Sequence, residues 1–109
     1  MEKKQKLIWM YQEILGLKGI SLEEKVLLAD IYDHACRGVP YRKTRREAGE
    51  WISARPPVVT RKFSHLEKAG YIRRFAVTGD REWDFCWQND LTPFFYEKTG
   101  LPVPDAEKN

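Results

Sequence analysis

The side chains best suited to chemistry lie between Arg55 and Ile72, in the sequence RPPVVTRKFSHLEKAGYI. Val59, Phe63 and Leu66 recur at spacings of four and three residues, which predicts a helix with one apolar face. The residues between them are polar and mostly basic: Thr60, Arg61, Lys62, Ser64, His65 and Lys68. Such groups donate hydrogen bonds to phosphates and base edges. We therefore expect this face to contact double-stranded DNA.

Little in the sequence suits catalysis, a cofactor or a metal ion. His34 and His65 are 31 residues apart, with no cysteine or carboxylate at ligand spacing, so no metal site is expected. No Gly-rich phosphate loop and no nucleophile–base spacing is visible, so we expect neither an enzyme nor a cofactor. Cys36 and Cys86 form no disulfide framework and are interpreted as buried apolar side chains.

Basic residues are concentrated in the middle of the chain. The 109 residues carry a formal net charge of only +3, yet Lys and Arg greatly outnumber Asp and Glu between Arg37 and Arg81. This asymmetry is typical of a nucleic-acid-binding face. No signal peptide or long apolar run is present, so we expect a cytoplasmic protein with no membrane span.

Helix-start signals precede the basic segment at two places. Ser21 with Glu24 forms a Ser-x-x-Glu capping box, which predicts a helix to about Cys36. Its inward residues should be Leu27, Leu28, Ile31, Tyr32 and Ala35. Upstream, residues 2–17 are predicted to form an amphipathic helix.

The second capping box consists of Thr44 and Glu47 and predicts a short helix over residues 45–53. Gly49 inside it costs about 1 kcal/mol relative to alanine, so we expect a neighbouring helix to approach closely there. A turn at residues 54–55 then leads into the basic helix. Two short helices joined by a tight turn, the second amphipathic and basic, form a helix-turn-helix.

After Gly70 the apolar period changes to two residues, which predicts a β-hairpin. Residues 78–81 supply the turn, Arg73 and Arg74 lie at the base and Arg81 lies at the tip. The residues expected inward are Tyr71, Phe75, Val77, Trp83, Phe85 and Trp87; an aromatic ligand pocket is the alternative for the three in the second strand. Residues 91–96 suggest a short helix, and residues 101–109 should fray.

Two family resemblances cover residues 20–87. Val59-Thr60-Arg61, followed by Leu66-Glu67 and Gly70-Tyr71-Ile72, resembles the recognition-helix signature of winged helix-turn-helix proteins of the MarR type. The segment LEEKVLLADIYDH, residues 22–34, is similar to the first helix of helix-turn-helix domains in phage and plasmid replication initiators. The resemblance implies a recognition helix in the major groove and a wing against the adjacent groove. The chain departs from the family at three positions, Trp51, Arg55 and Val58, where polar or hydroxyl residues are usual.

The predicted fold class is mainly α with a β-hairpin: a winged helix-turn-helix with an extra N-terminal helix and a short C-terminal helical tail. We expect one domain over residues 1–109, with its core at about residues 20–88. The predicted DNA-binding residues are Arg45, Arg46, Arg55, Val58, Thr60, Arg61, Lys62, Ser64, His65, Arg73, Arg74 and Arg81. The expected function is sequence-specific binding of double-stranded DNA by a small transcriptional regulator of a phage or other mobile element.

Other interpretations remain open at this point. The chain could be an accessory or initiator-like replication protein, or a winged-helix protein-interaction module that inhibits a host protein. Its anchors would then be the apolar residues Trp9, Trp51, Phe94 and Phe95. The basic residues of the central helix could also form only a solvated face, and Arg73 and Arg74 could only flank the hairpin. A homodimer is compatible with the plan, because duplex sites are often palindromic.

Overall fold

Residues 7–78 and 85–104 are described by a computed structural model of the chain. Within these ranges the protein is a mixed α/β domain of five α-helices and one antiparallel β-hairpin. The elements are α1 (Gln12–Leu15), α2 (Leu22–Cys36), α3 (Arg45–Gly49), α4 (Pro56–Lys68), β1 (Ile72–Thr78), β2 (Phe85–Leu91) and α5 (Pro93–Thr99). A 3-10 turn, Glu50–Ile52, continues α3. No helix in the described ranges is long and apolar enough to cross a membrane.

The N-terminal segment is less helical than its apolar residues predicted. Only α1 is helical, residues 7–11 precede it without regular structure, and residues 2–6 lie outside the described ranges. Ile8 and Met10 pack against the core, whereas Leu7 and Trp9 are 86% and 70% exposed. This alternation is that of an extended chain. The extended backbone therefore buries one residue in two where the predicted helix would have buried a stripe.

Helix α2 forms as its capping box predicted. Ser21 Oγ accepts a hydrogen bond from the Glu24 N–H at 3.2 Å, and Glu24 Oε1 accepts one from the Ser21 N–H at 2.9 Å. All five residues predicted to face inward are buried. Cys36 at the end of the helix is exposed, however, and Cys86 in β2 is half-buried, so the prediction that both thiols are buried was wrong.

Helix α3 also begins at its predicted capping box, with Thr44 and Glu47 bonded reciprocally at 3.1 Å. A β-carbon added at Gly49 would lie 2.4 Å from the carbonyl oxygen of Ala54 and 2.9 Å from Cγ2 of Val59 in α4. The expected close approach is thus present, and it involves the turn backbone as well as the neighbouring helix. Ser53 in this turn has a left-handed backbone, with φ of 52°.

The hairpin forms, and Trp87 lies on the inner side of β2 as predicted, but the two sides of β1 are reversed relative to the prediction. Ile72 pairs with Leu91 and Arg74 pairs with Asn89, and these residues face the helices. Phe75 and Val77 are only half-buried, and Trp87 is 44% exposed although it was expected in the core. Residues alternate sides along a strand, so a shift of one residue exchanges the two faces. Arg81, Trp83 and the Phe85 side chain lie outside the described part of the chain.

The C-terminal helix completes the core. Phe95 of α5 is fully buried, and its ring centroid lies 6.1 Å from that of Tyr32 in α2. Leu101 is buried and the Tyr32 hydroxyl donates to the Pro102 carbonyl at 2.8 Å. Residues 101 and 102 are therefore packed on the domain, although we expected fraying from residue 101; residues 105–109 lie outside the described ranges.

Candidate nucleic-acid interface

Helix α4 has the two faces that its sequence predicted. Val59, Phe63 and Leu66 are buried, with at most 2% of their surface exposed. Arg55 precedes the helix with an extended backbone and makes no side-chain cap, and Pro56 occupies the first helical position. The buried face fixes the helix on the scaffold and leaves its opposite face to solvent.

Unpaired cations mark the solvent side of α3 and α4. Arg45 and Arg46 occupy the first turn of α3, Arg55 precedes α4, and Arg61 and Lys68 lie on α4; all five are exposed. None of them forms an ion pair with another described residue. These side chains are free to neutralise an external polyanion.

Two predicted binding residues of α4 turn instead toward α2. Lys62 Nζ lies 3.5 Å from Glu23 Oε1, and His65 Nδ1 lies 2.5 Å from Glu24 Oε2. Burial raises the pKa of Glu24, but the hydrogen bonds from Ser21 and His65 outweigh it, so the net pKa lies below the usual value of 4.5. Lys62 and His65 therefore already have carboxylate partners within the domain.

The remaining predicted binding residues of α4, Val58, Thr60 and Ser64, are partly buried. Thr60 donates its hydroxyl to the Pro56 carbonyl at 3.0 Å, which leaves its oxygen able to accept a hydrogen bond. Ser64 and Val58 are half-buried. Val58 also lines a shallow depression with Arg61 and Lys62. These residues offer short polar or apolar contacts beside the Arg61 guanidinium.

Arg73 and Arg74 lie on opposite faces of β1. Arg73 is 73% exposed, lies 5.3 Å from the Phe75 ring, and approaches Asp90 at 3.9 Å. Arg74 is half-buried, and its guanidinium carbon lies 5.5 Å from both the Phe63 and the Trp87 ring centroids. Burial lowers the pKa of Arg74; Glu67 opposes this shift and the positive charge of Arg45 adds to it.

A cleft separates the inner face of the hairpin from α3 and α4. This hairpin groove has a volume of about 380 Å³. Arg42, Arg45, Arg46, Pro56, Phe63, Arg74, Trp87 and Asn89 are among its lining residues. The sequence analysis did not assign Phe63, Trp87 or Asn89 to a shared site with Arg74, because it placed the opposite side of β1 inward. The sequence alone did not predict the pairing of Arg74 with Asn89, because the register of the two strands depends on the length of the turn between them.

A buried polar cluster holds the loop before α3. Asp30 of α2 is 2% exposed and accepts hydrogen bonds from the Tyr41 hydroxyl at 3.0 Å and from Lys43 Nζ at 2.9 Å. Burial, followed by the charge of Asp30, raises the pKa of Tyr41. Lys43 Nζ also lies 5.8 Å from the ring centroid of Trp51, which is half-buried.

The same loop lies along β2. The Asn89 N–H donates to the Tyr41 carbonyl at 3.0 Å, and Arg42 Nε donates to Gln88 Oε1 at 2.8 Å. The loop thus connects α2, the hairpin and the first turn of α3. It positions Arg45 and Arg46 relative to the hairpin.

Within the described residues no group of three or more His, Cys, Asp or Glu side chains could hold a metal ion. Comparisons with protein-family models, curated proteins and solved structures find no match to this chain.

Proposed function

We propose that this protein is a winged helix-turn-helix that binds double-stranded DNA, with α4 in the major groove. The observation that carries the proposal is the set of exposed arginines on α3 and α4 that have no carboxylate partner in the described ranges: Arg45, Arg46, Arg55 and Arg61. Phosphate neutralisation by such side chains supplies most of the affinity of DNA-binding proteins in general.

The order and packing of the elements support the winged-helix assignment. Helices α2, α3 and α4 are followed directly by the hairpin, and α4 packs on both α3 and β1. The backbone hydrogen bond between Tyr41 and Asn89 brings the loop before α3 alongside β2. The hairpin would then be the wing, and Arg73 on its exposed side would contact a phosphate of the adjacent groove.

The roles of the side chains on α4 follow from their exposure. Arg61 is exposed and unpaired and would contact base edges, because Arg to guanine is the commonest specific contact in the major groove. Thr60 lies next to it and would accept or donate one further hydrogen bond. Lys62 and His65 would contribute less, because each would first have to leave its glutamate.

Fluorescence anisotropy with a labelled random-sequence duplex, measured at several salt concentrations, tests the proposal. The logarithm of the affinity should fall steeply with the logarithm of salt. Arg45→Ala should reduce that slope by about one unit. Arg37→Ala is the matched control, because Arg37 is equally cationic but already pairs with Asp33 at 3.0 Å at the far end of α2. Absence of duplex binding at low salt would overturn the proposal.

If the duplex binds, selection of the preferred site from a random pool would test the expected role as a regulator of a phage or other mobile element. A single enriched motif would support a sequence-specific regulator. Uniform affinity for all sequences would contradict it and favour an accessory role in replication.

One observation favours a second candidate, a protein-interaction module that acts on a host protein. Leu7 and Trp9 are 86% and 70% exposed and neighbour each other on the N-terminal segment. Exposed apolar side chains of this size are typical anchors for a protein partner. Phe95 and Trp51 no longer support this candidate, since one is buried and the other half-buried. A partner held by Leu7 and Trp9 should be lost in a Trp9→Ala variant and should respond weakly to salt.

A further inference from the structure

Unsatisfied polar atoms lie in the wall of the hairpin groove. Asn89 is 2% exposed, and its Oδ1 has no hydrogen-bond partner among the described residues. Nε of Arg74, its partner across the hairpin, is likewise buried without a partner in the described chain. Buried polar atoms are almost always hydrogen-bonded in folded proteins. A ligand that offers both a donor and an acceptor could pair with these two atoms.

Aromatic surface lies next to these two polar groups. Trp87 lies two residues before Asn89 on the same side of β2 and keeps 44% of its surface exposed. The buried ring of Phe63 lines the groove from α4. The Arg74 guanidinium lies 5.5 Å from each of these rings. Flat aromatic ligands, nucleobases among them, stack on exposed rings such as that of Trp87. An asparagine amide can at the same time pair with a base edge, as in its bidentate contact with adenine.

The mouth of the groove is strongly cationic. Arg42, Arg45 and Arg46 line it together with Arg74, and no acidic side chain of the described chain is part of the lining. The positive charge of Arg45 lowers the pKa of Arg74, after the larger effect of burial, so the two guanidinium groups repel each other. An anion between them would relieve this repulsion. The volume of about 380 Å³ falls in the range of about 300–1,000 Å³ that is usual for small-molecule sites.

We propose that the hairpin groove binds a nucleoside phosphate. The base contacts Trp87 and the amide of Asn89, and the phosphate lies beside Arg45 and Arg46. Either a free nucleotide or an unpaired nucleotide within a DNA strand has this chemistry. The site is separate from the solvent face of α4, where Arg61 lies.

The groove also has a consequence for duplex binding, which rests on the proposed function. Arg45 and Arg46 belong both to the groove and to the DNA-contacting set. A nucleotide in the groove would occupy the guanidinium groups that a duplex phosphate needs. Duplex and nucleotide should therefore compete, and a saturating nucleotide should weaken duplex binding.

Isothermal titration calorimetry of the full chain tests the site with the four common nucleoside 5′-monophosphates and with inorganic phosphate. At least one nucleotide should bind about tenfold or more tightly than phosphate, because stacking and the amide contact add to the charge term. Trp87→Ala should weaken that nucleotide roughly tenfold, and Asn89→Ala should weaken it as well. Arg73→Ala is the matched control: its guanidinium lies on the other face of β1, so nucleotide affinity should not change.

A short single-stranded oligodeoxynucleotide of the preferred base distinguishes a free nucleotide from an unpaired nucleotide within a DNA strand as the natural ligand. Binding well above that of the monophosphate, with the same loss in Trp87→Ala, assigns the groove to an unpaired nucleotide in a strand. Binding at or below that of the monophosphate assigns it to the free nucleotide. Nucleotide affinity equal to that of phosphate, or unchanged in a folded Trp87→Ala variant, overturns the proposal. Arg61→Ala separates it from the proposed function, because it should weaken the duplex and leave the nucleotide unaffected.

Discussion

Nδ1 of His65 in α4 lies 2.5 Å from Oε2 of Glu24 in α2, while the other oxygen of this carboxylate accepts the Ser21 N–H that caps α2. The buried Glu24 therefore both caps the N-terminus of α2 and contacts α4. The basic helix is fixed not only by its apolar face but also by a short side-chain contact between His65 and Glu24. The imidazole that the sequence pattern assigned to DNA has a structural partner.

The contacts of Glu24 predict that the free energy of unfolding decreases at acid pH. The pKa of Glu24 is lowered in the folded protein relative to 4.5, so the unfolded state binds more protons as the pH falls. The stabilisation from Glu24 is present above about pH 4.5 and is lost as the pH falls through its lower folded pKa. In Glu24→Gln, urea unfolding should show a loss of about 1–2 kcal/mol at neutral pH and a flatter dependence on pH in the acid range.

Glu23→Gln is the control for this prediction. Glu23 is adjacent and 49% exposed, and its contact with Lys62 is 3.5 Å long. An exposed pair of this kind contributes about 0–1 kcal/mol, so the control should retain most of its stability and the wild-type acid slope. If both variants lose the same stability and keep the same slope, Glu24 does not stabilise the contact between α2 and α4.

The positions of Lys62 and Arg61 predict unequal effects on duplex binding. Arg61 is exposed without a carboxylate partner in the described chain, whereas Lys62 is 18% exposed and lies beside Glu23. Arg61→Ala should reduce the affinity for a preferred site by about 1–3 kcal/mol. Lys62→Ala should reduce it by less, since the ammonium is already neutralised. Anisotropy titrations of both variants decide this, and equal losses would show that Lys62 leaves Glu23 to contact DNA.

The sequence predicted those parts of the fold that depend on neighbouring residues. Each capping box joins residues three apart, and the apolar face of α4 repeats within one or two turns, so the helices α2, α3 and α4 could be placed. The contact between Glu24 and His65 spans 41 residues and follows from no local pattern. Such long-range contacts decide which side chains of α4 are available to a ligand. For this reason the sequence did not reveal that Lys62 and His65 contact the glutamates of α2.

The hairpin shows a second reason why the sequence alone did not predict the candidate site. Apolar residues occur on both sides of β1, so alternation alone does not determine which side of this strand packs on the helices. Tyr71 is buried just before the strand, and Ile72 is then the first inward residue of the strand. The inward position of Arg74 follows from this register, and it places Arg74 on the same side of the hairpin as Asn89 and Trp87. The hairpin groove could therefore be found only from the structure.

The close packing around Gly49 predicts that the turn between α3 and α4 does not tolerate a β-carbon at this position. A β-carbon at this position would lie 2.4 Å from the Ala54 carbonyl oxygen, and backbone cannot rotate away as a side chain can. Gly49→Ala should lower the free energy of unfolding by about 1–3 kcal/mol, despite the better helix propensity of alanine.

Chemical denaturation measures this loss, with Gly16→Ala as the control. Gly16 has a right-handed helical backbone with φ of −79°, and its nearest contact would be an ordinary 3.5 Å. Alanine should there be neutral or stabilising by up to about 1 kcal/mol. Equal stability of Gly49→Ala and wild type would show that the turn can move without loss.

The buried Asp30 carboxylate should contribute both to the stability of the protein and to the position of the arginines at the start of α3. Its carboxylate accepts from Tyr41 and Lys43 at 3.0 and 2.9 Å, and these contacts fix the loop that leads to Arg45. In Asp30→Ala, the Lys43 ammonium and the Tyr41 hydroxyl lose their acceptor, so unfolding free energy should fall by about 2–4 kcal/mol. Asp33→Ala, which breaks an exposed pair with Arg37, should change it by at most about 1 kcal/mol.

The double variant Asp30→Ala with Lys43→Met separates lost charge pairing from lost packing. Removing the ammonium as well eliminates the unpaired charge, so the double variant should be more stable than Asp30→Ala alone. Additive losses from the two changes would show that the ion pair does not matter. Because the loop carries the chain into the first turn of α3, Asp30→Ala should also weaken duplex binding at a temperature where the protein is still folded. Lys43→Met restores stability without restoring the Asp30 contact, so duplex affinity should stay low in the double variant.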